Sequence, residues 1–103
     1  MSQTLKGFLD PMILSVLAGE PLHGYAVIEE LKLRSGGELD LPEGTVYPAL
    51  HRLERRGLLR SAWTRVEGRR RRIYRLTPPG RRELESSRRE WLTFSRVVEG
   101  VLP

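Results

Sequence analysis

The sequence predicts a mainly α-helical fold carrying one small β-hairpin (an α+β layout). Three observations predict it. Apolar residues recur at helical spacing in three successive stretches up to Arg56. Two runs rich in Trp, Thr, Val, Ile and Tyr then flank a glycine turn. A long amphipathic stretch closes the chain. The 103 residues suit a single domain with a modest core.

The first stretch runs from about Leu5 to Ala18, with Leu5, Leu9, Met12, Ile13, Val16 and Leu17 in helical register. Asp10-Pro11 reads as a helix start, Asp as N-cap and Pro at the first position, with the preceding turn a separate segment or a kinked extension. The second stretch begins near His23-Gly24 and runs to about Leu33, stopped by Arg34-Ser35-Gly36-Gly37. The third spans about Pro42 to Arg56. Val46, Leu50 and Leu53 form its buried face, Thr45, Pro48, Arg52 and Arg55 the opposite one, with His51 beside them. Pro48 has no N–H for the Gly44 carbonyl, so a late start or a bend is expected. Gly57 is the C-cap. The hairpin strands are Leu59 to Val66 and Arg70 to Leu76, turned by Glu67-Gly68-Arg69. The last helix opens at Thr77-Pro78-Pro79 and runs to about Leu102. Three helices, a hairpin and a long helix are the layout of a winged helix-turn-helix: residues 1–77 form it, and 78–103 a dimerisation helix packed with the N-terminal helix.

Charge is unevenly placed. From Arg52 to Arg82 twelve arginines face only Glu54 and Glu67, a balance of +10, whereas the whole chain carries +5. Such a cation suits an anionic partner, and arginine's planar fork suits phosphate or a guanine edge. A solvated charged face is the alternative, made less attractive by clustering and lack of opposing acids. Arg69, Arg70, Arg71 and Arg72 are consecutive, and an alternating strand cannot bury all four. The expected partner is double-stranded DNA with a pseudo-palindromic operator. The third helix would present Thr45, Tyr47 and Pro48 to a groove, with His51, Arg52 and Arg55 on phosphates or base edges. His23 and Tyr25, at a helix N-terminus, are further candidates. Core packing is the competing role for Tyr47 and Tyr25, and dipole compensation for Arg55.

In the long helix Leu84, Trp91 and Val98 are spaced by seven, with Ser87, Phe94 and Val101 three residues after each. That seam predicts a homodimer, which would offer two recognition helices to half-sites about 34 Å apart. Trp91 is either a core aromatic or the floor of a pocket between subunits for a planar aromatic effector, with Phe8, Met12, Phe94 and Val98 as neighbours. Catalytic chemistry finds no support: two histidines, no cysteine, no nucleophile, phosphate or metal motif. No cofactor or metal is expected. No apolar run suggests a membrane span, and no secretory leader is visible, so the cytoplasm is the expected location.

Pro21-Leu22-His23-Gly24-Tyr25, the run Leu41 to Leu58, and Gly68 through Tyr74-Arg75-Leu76-Thr77 with Gly80 resemble the PadR family of bacterial winged-helix regulators, in particular its short subfamily with one C-terminal helix. The resemblance covers about Leu9 to Val101. It implies a homodimer that usually represses promoters, often its own and that of a neighbouring transporter or detoxification gene. It implies that Thr45, Tyr47, Pro48 and Arg52 lie on the DNA-reading helix. In some short members a tryptophan at the place of Trp91 stacks aromatic drugs at the dimer centre. The wing here is more basic than the family's usual pattern. Two other classes remain for comparison: a winged-helix protein-interaction module, with little DNA binding, and a non-specific nucleic-acid binder, with steep salt dependence but no sequence preference.

Overall fold

The computed structural model describes residues Gln3 to Leu102, with side chains from Gly7 onward. Leu5, expected in the first amphipathic run, lies outside the described side chains. The chain order is α1 (Gln3–Gly19), β1 (Leu22–His23), α2 (Gly24–Arg34), α3 (Glu43–Arg55), β2 (Leu59–Val66), β3 (Arg69–Leu76) and α4 (Pro78–Val101). This is the winged helix-turn-helix layout.

Apolar faces of α1, α2 and α3 meet in one core. Ile13, Leu14, Val27, Val46, Leu50 and Leu53 are at most 1% exposed. Tyr74 and Leu59 close the core from the sheet side, and Leu84 from α4. Tyr74 apart, no charged or polar side chain is buried among the described residues. Truncating a leucine such as Leu50 would leave a cavity costing roughly 2–5 kcal/mol.

Two expectations about helix starts are corrected. α1 is continuous through Asp10 and Pro11, so Asp10 is not an N-cap. Its carboxylate instead accepts a 2.7 Å bond from Arg52 Nη2 and lies 3.8 Å from Arg56 Nη1. A tertiary ion pair thus uses the group that a local cap would have used. Pro11 removes only the hydrogen bond to the Gly7 carbonyl. Of the two outcomes expected at Pro48, a late start or a bend, the late start does not occur: α3 begins at Glu43 with Pro48 inside it.

The C-terminus of α3 ends as expected. Gly57, at φ 77°, donates to the Glu54 carbonyl, and Leu58 N–H donates to Leu53. These two bonds are the Schellman closure. The corner is then tied to α4. Thr77 N–H donates to the Leu58 carbonyl, and Thr77 Oγ1 donates to that of Gly57 at 2.6 Å. The same hydroxyl accepts from Gly80 N–H, capping α4.

The sheet has three strands in the order β1-β3-β2, all antiparallel, so the expected hairpin gains a strand. β1 is only two residues long, too short to show a period in sequence. The hairpin turn is also one residue tighter than expected. Val66 pairs with Arg69, leaving Glu67 and Gly68 as the two central residues, at φ 52° and 80°. Both are left-handed, as a type I′ turn requires. Glu67 is therefore strained, since an L side chain disfavours this region. Glu67→Asn is expected to stabilise the domain by about 0.5–1 kcal/mol, read from chemical denaturation.

Candidate nucleic-acid interface

Three elements converge on one shallow groove of about 330 Å³. The start of α2 brings His23 and Gly24, α3 brings Tyr47 and His51, and the hairpin brings Trp63, Arg70, Arg71 and Arg72. Six residues singled out in the sequence, His23, Tyr47, His51, Arg70, Arg71 and Arg72, therefore share one surface. Trp63 and Gly24 were not foreseen.

Gly24 explains why Tyr47 lies where it does. A Cβ on Gly24 would sit 2.6 Å from the Tyr47 ring, so the phenol packs over a bare backbone. Tyr47 is half-buried against the core, with one side on the groove. Its two expected roles, packing and surface contact, are both open to it. His23 ends β1 opposite Ile73 and is the N-cap residue of α2. Burial, aided by the Arg71 guanidinium, lowers its pKa below the usual value, and Glu29 opposes this weakly. The imidazole is thus mostly neutral at pH 7 and can donate as well as accept a hydrogen bond.

The four consecutive arginines are not equivalent. Pleating sends Arg70 and Arg72 to one face and Arg69 and Arg71 to the other, from which Arg71 still reaches the groove and Arg69 does not. Arg72 is engaged internally: its Nε donates to Ser61 Oγ at 2.7 Å and its Nη2 to Glu54 Oε1 at 3.1 Å. Ser61 Oγ in turn donates to Glu54 Oε2 at 2.7 Å. This triangle pins the hairpin to α3, fixing the width of the groove. Arg69, Arg70 and Arg71 have no carboxylate within ion-pair distance among the described residues, and neither does Arg55. Arg52 is held by Asp10 and Arg56 by Asp10 and Glu83, which ties α3 to α1 and α4. Thr45 is half-buried, and Pro48 and Tyr25 are exposed. Tyr25 lies away from the groove, on a separate cleft between α2 and the following loop.

Among the described residues no three His, Cys, Asp or Glu side chains converge as a metal site, and no helix is long and apolar enough to cross a membrane. The model of the PadR-like transcriptional regulator family matches residues 13–86. The chain belongs to that family. Transcriptional regulator Rv3488 of Mycobacterium tuberculosis is 44% identical over 88 residues, 85% of this chain and 79% of that protein. A transcriptional regulator from Clostridium thermocellum superposes with a TM-score of 0.91 at 28% identity, covering 99% of this chain and 100% of the other. A PadR family regulator from Clostridium difficile does so at 0.83 and 33%, covering 93% and 99%.

This PadR-like chain has a second surface of note, on the outer half of α4. Trp91, Phe94, Val97 and Val101 are 47%, 49%, 57% and 73% exposed, with Val98 half-buried beside them. Leu84 does not belong to that free strip: it is sealed in the domain's own core, which α4 covers with its first turns before running past it. Phe8 of α1 meets Trp91 edge-on at 5.1 Å, and Phe94 stands 6.3 Å from both rings. Met12 lies one turn beyond Phe8, in a cleft with Val16, Leu31 and Leu39.

Proposed function

We propose that the protein is a homodimeric, sequence-specific DNA-binding repressor that works in the cytoplasm. The observation that carries this reading is the convergence on one groove of the α3 face, the start of α2 and two wing arginines, Arg70 and Arg71, that have no carboxylate partner among the described residues. In it Tyr47 and His51, with Thr45, Pro48 and Arg55 along the helix, meet base edges and phosphates. His23 with Arg69, Arg70 and Arg71 grips the backbone. Arg72 serves by holding the wing at its distance from α3. Arg52 exchanges Asp10 for DNA on binding. The exposed strip of α4 covers itself in a second copy, which spaces two recognition helices for a pseudo-palindromic operator. Repression needs no further surface, since a dimer seated on a promoter excludes polymerase. The Phe8–Trp91–Phe94 cluster beside the dimer strip supports relief by a planar aromatic effector stacking there. No cofactor or metal enters.

The test is an anisotropy titration with a duplex from upstream of the gene and a scrambled one, at several salt concentrations. The native duplex should be favoured by roughly a thousandfold. Replacing Arg69, Arg70 and Arg71 together by Ala should weaken both duplexes and flatten the salt slope by about one per lost phosphate contact. A slope unchanged by the triple substitution would remove the wing from the interface.

A further inference from the structure

Trp63 stands out because it is a large apolar ring left 57% exposed on a charged hairpin. The strand register places it opposite Arg72, with the Arg65–Arg70 pair two positions further along on the same face. The Arg70 guanidinium carbon lies 4.8 Å from the indole centroid and that of Arg72 6.0 Å. Arg72 is fixed by Glu54 and Ser61, so the indole rests on a rigid neighbour. Arg70 has no carboxylate partner among the described residues and is held only over the ring. The same indole walls the groove shared with His23, Tyr47 and His51. The core-facing side of the hairpin explains the position but not the residue. Nearer the core that side carries Leu59, Ser61 and Tyr74, and by Trp63 the core has run out.

We infer that Trp63 is itself a DNA-contacting residue, packing its exposed indole against a deoxyribose of the strand whose phosphate Arg70 grips. This rests on the DNA-binding reading given above. An apolar ring beside a guanidinium matches the alternation of sugar and phosphate along a nucleic-acid backbone. The contact removes exposed indole from water and seats Arg70, already ordered by the ring, on its phosphate. It is indifferent to sequence, so it adds affinity rather than base selectivity.

The experiment uses the full chain labelled with 5-fluorotryptophan. The protein holds two tryptophans, so two fluorine resonances are expected, assigned with Trp63→Phe and Trp91→Phe. Adding duplex should move the Trp63 resonance. Trp63→Ala should weaken native and scrambled duplexes alike by roughly tenfold, in the range of aromatic contacts to nucleic acid. Trp63→Phe should recover most of that. The salt slope should stay at the wild-type value in Trp63→Ala and fall by about one in Arg70→Ala. A Trp63 resonance unmoved at saturating duplex, or wild-type affinity in Trp63→Ala, overturns the contact. So does a slope in Trp63→Ala that falls as in Arg70→Ala with no additional loss in the double variant, because the ring would then act only through Arg70. Absence of duplex binding by the wild-type protein would instead sink the DNA-binding reading itself. Melting curves of each variant separate a lost contact from a lost fold.

Discussion

Gly80→Ala is expected to destabilise the domain by about 3 kcal/mol, the upper end of the usual cost of overpacking. A Cβ at this position would collide with the Leu58 carbonyl oxygen and sit 2.8 Å from a Leu76 methyl. The first obstacle is backbone and cannot rotate aside. It also belongs to the corner where α3 ends, and its carbonyl already accepts from Thr77 N–H. Relief would require α4 to move off the corner, breaking the Thr77 bonds to Gly57 and Gly80 and lifting Leu84 from the core. For a domain of this size the melting temperature should fall by on the order of 15 °C. Gly100→Ala in the same helix is the control: its Cβ would meet nothing within 4 Å, so a small gain of about 0.5–1 kcal/mol is expected. Thermal and denaturant unfolding of the two variants check the contrast. Equal stability of both would mean that the corner is not tightly packed.

Much of this fold is legible in the chain because its signals are local. Val46, Leu50 and Leu53 mark the buried face of α3 by spacing alone, and all three are fully buried. Thr77-Pro78 announces the start of α4, and Thr77 is its cap. What escapes the sequence is set by partners far along the chain. Asp10-Pro11 has the form of a helix start, yet α1 passes through it and Asp10 serves Arg52 and Arg56 on α3. Arg72 looks like its three neighbours in sequence, and only pleating and the distant Glu54 and Ser61 set it apart. Leu84 matches the heptad of Trp91 and Val98, but a period cannot tell a helix's own core from a partner's. In the sequence Trp63 counts only as strand composition, because its meaning depends on how far the core extends beneath the hairpin. The groove was therefore visible as a list of cations, while its aromatic wall and the pin that sets its width were not.

Val97→Lys is expected to convert the protein to a monomer and to lower its affinity for the full operator by about 10²–10⁴-fold. Val97 is 57% exposed and outside the domain's core, so each chain should fold unchanged, with the wild-type melting curve at low concentration. In a two-fold dimer the substitution appears twice, because one patch meets its own copy. Each ammonium would enter an apolar strip made by Trp91, Phe94, Val98 and Val101, where an unpaired charge costs several kcal/mol to desolvate. DNA affinity then falls through geometry rather than chemistry. The groove of His23, Tyr47 and His51 is untouched, so binding to a single half-site should persist. What disappears is the effective concentration that one seated half lends to the other. Light scattering gives the mass, and anisotropy with full and half operators gives the affinities. A monomeric variant that keeps wild-type affinity for the full operator would uncouple dimerisation from recognition. A variant that stays dimeric would place the subunit contact elsewhere and leave the exposed strip of α4 to a different partner.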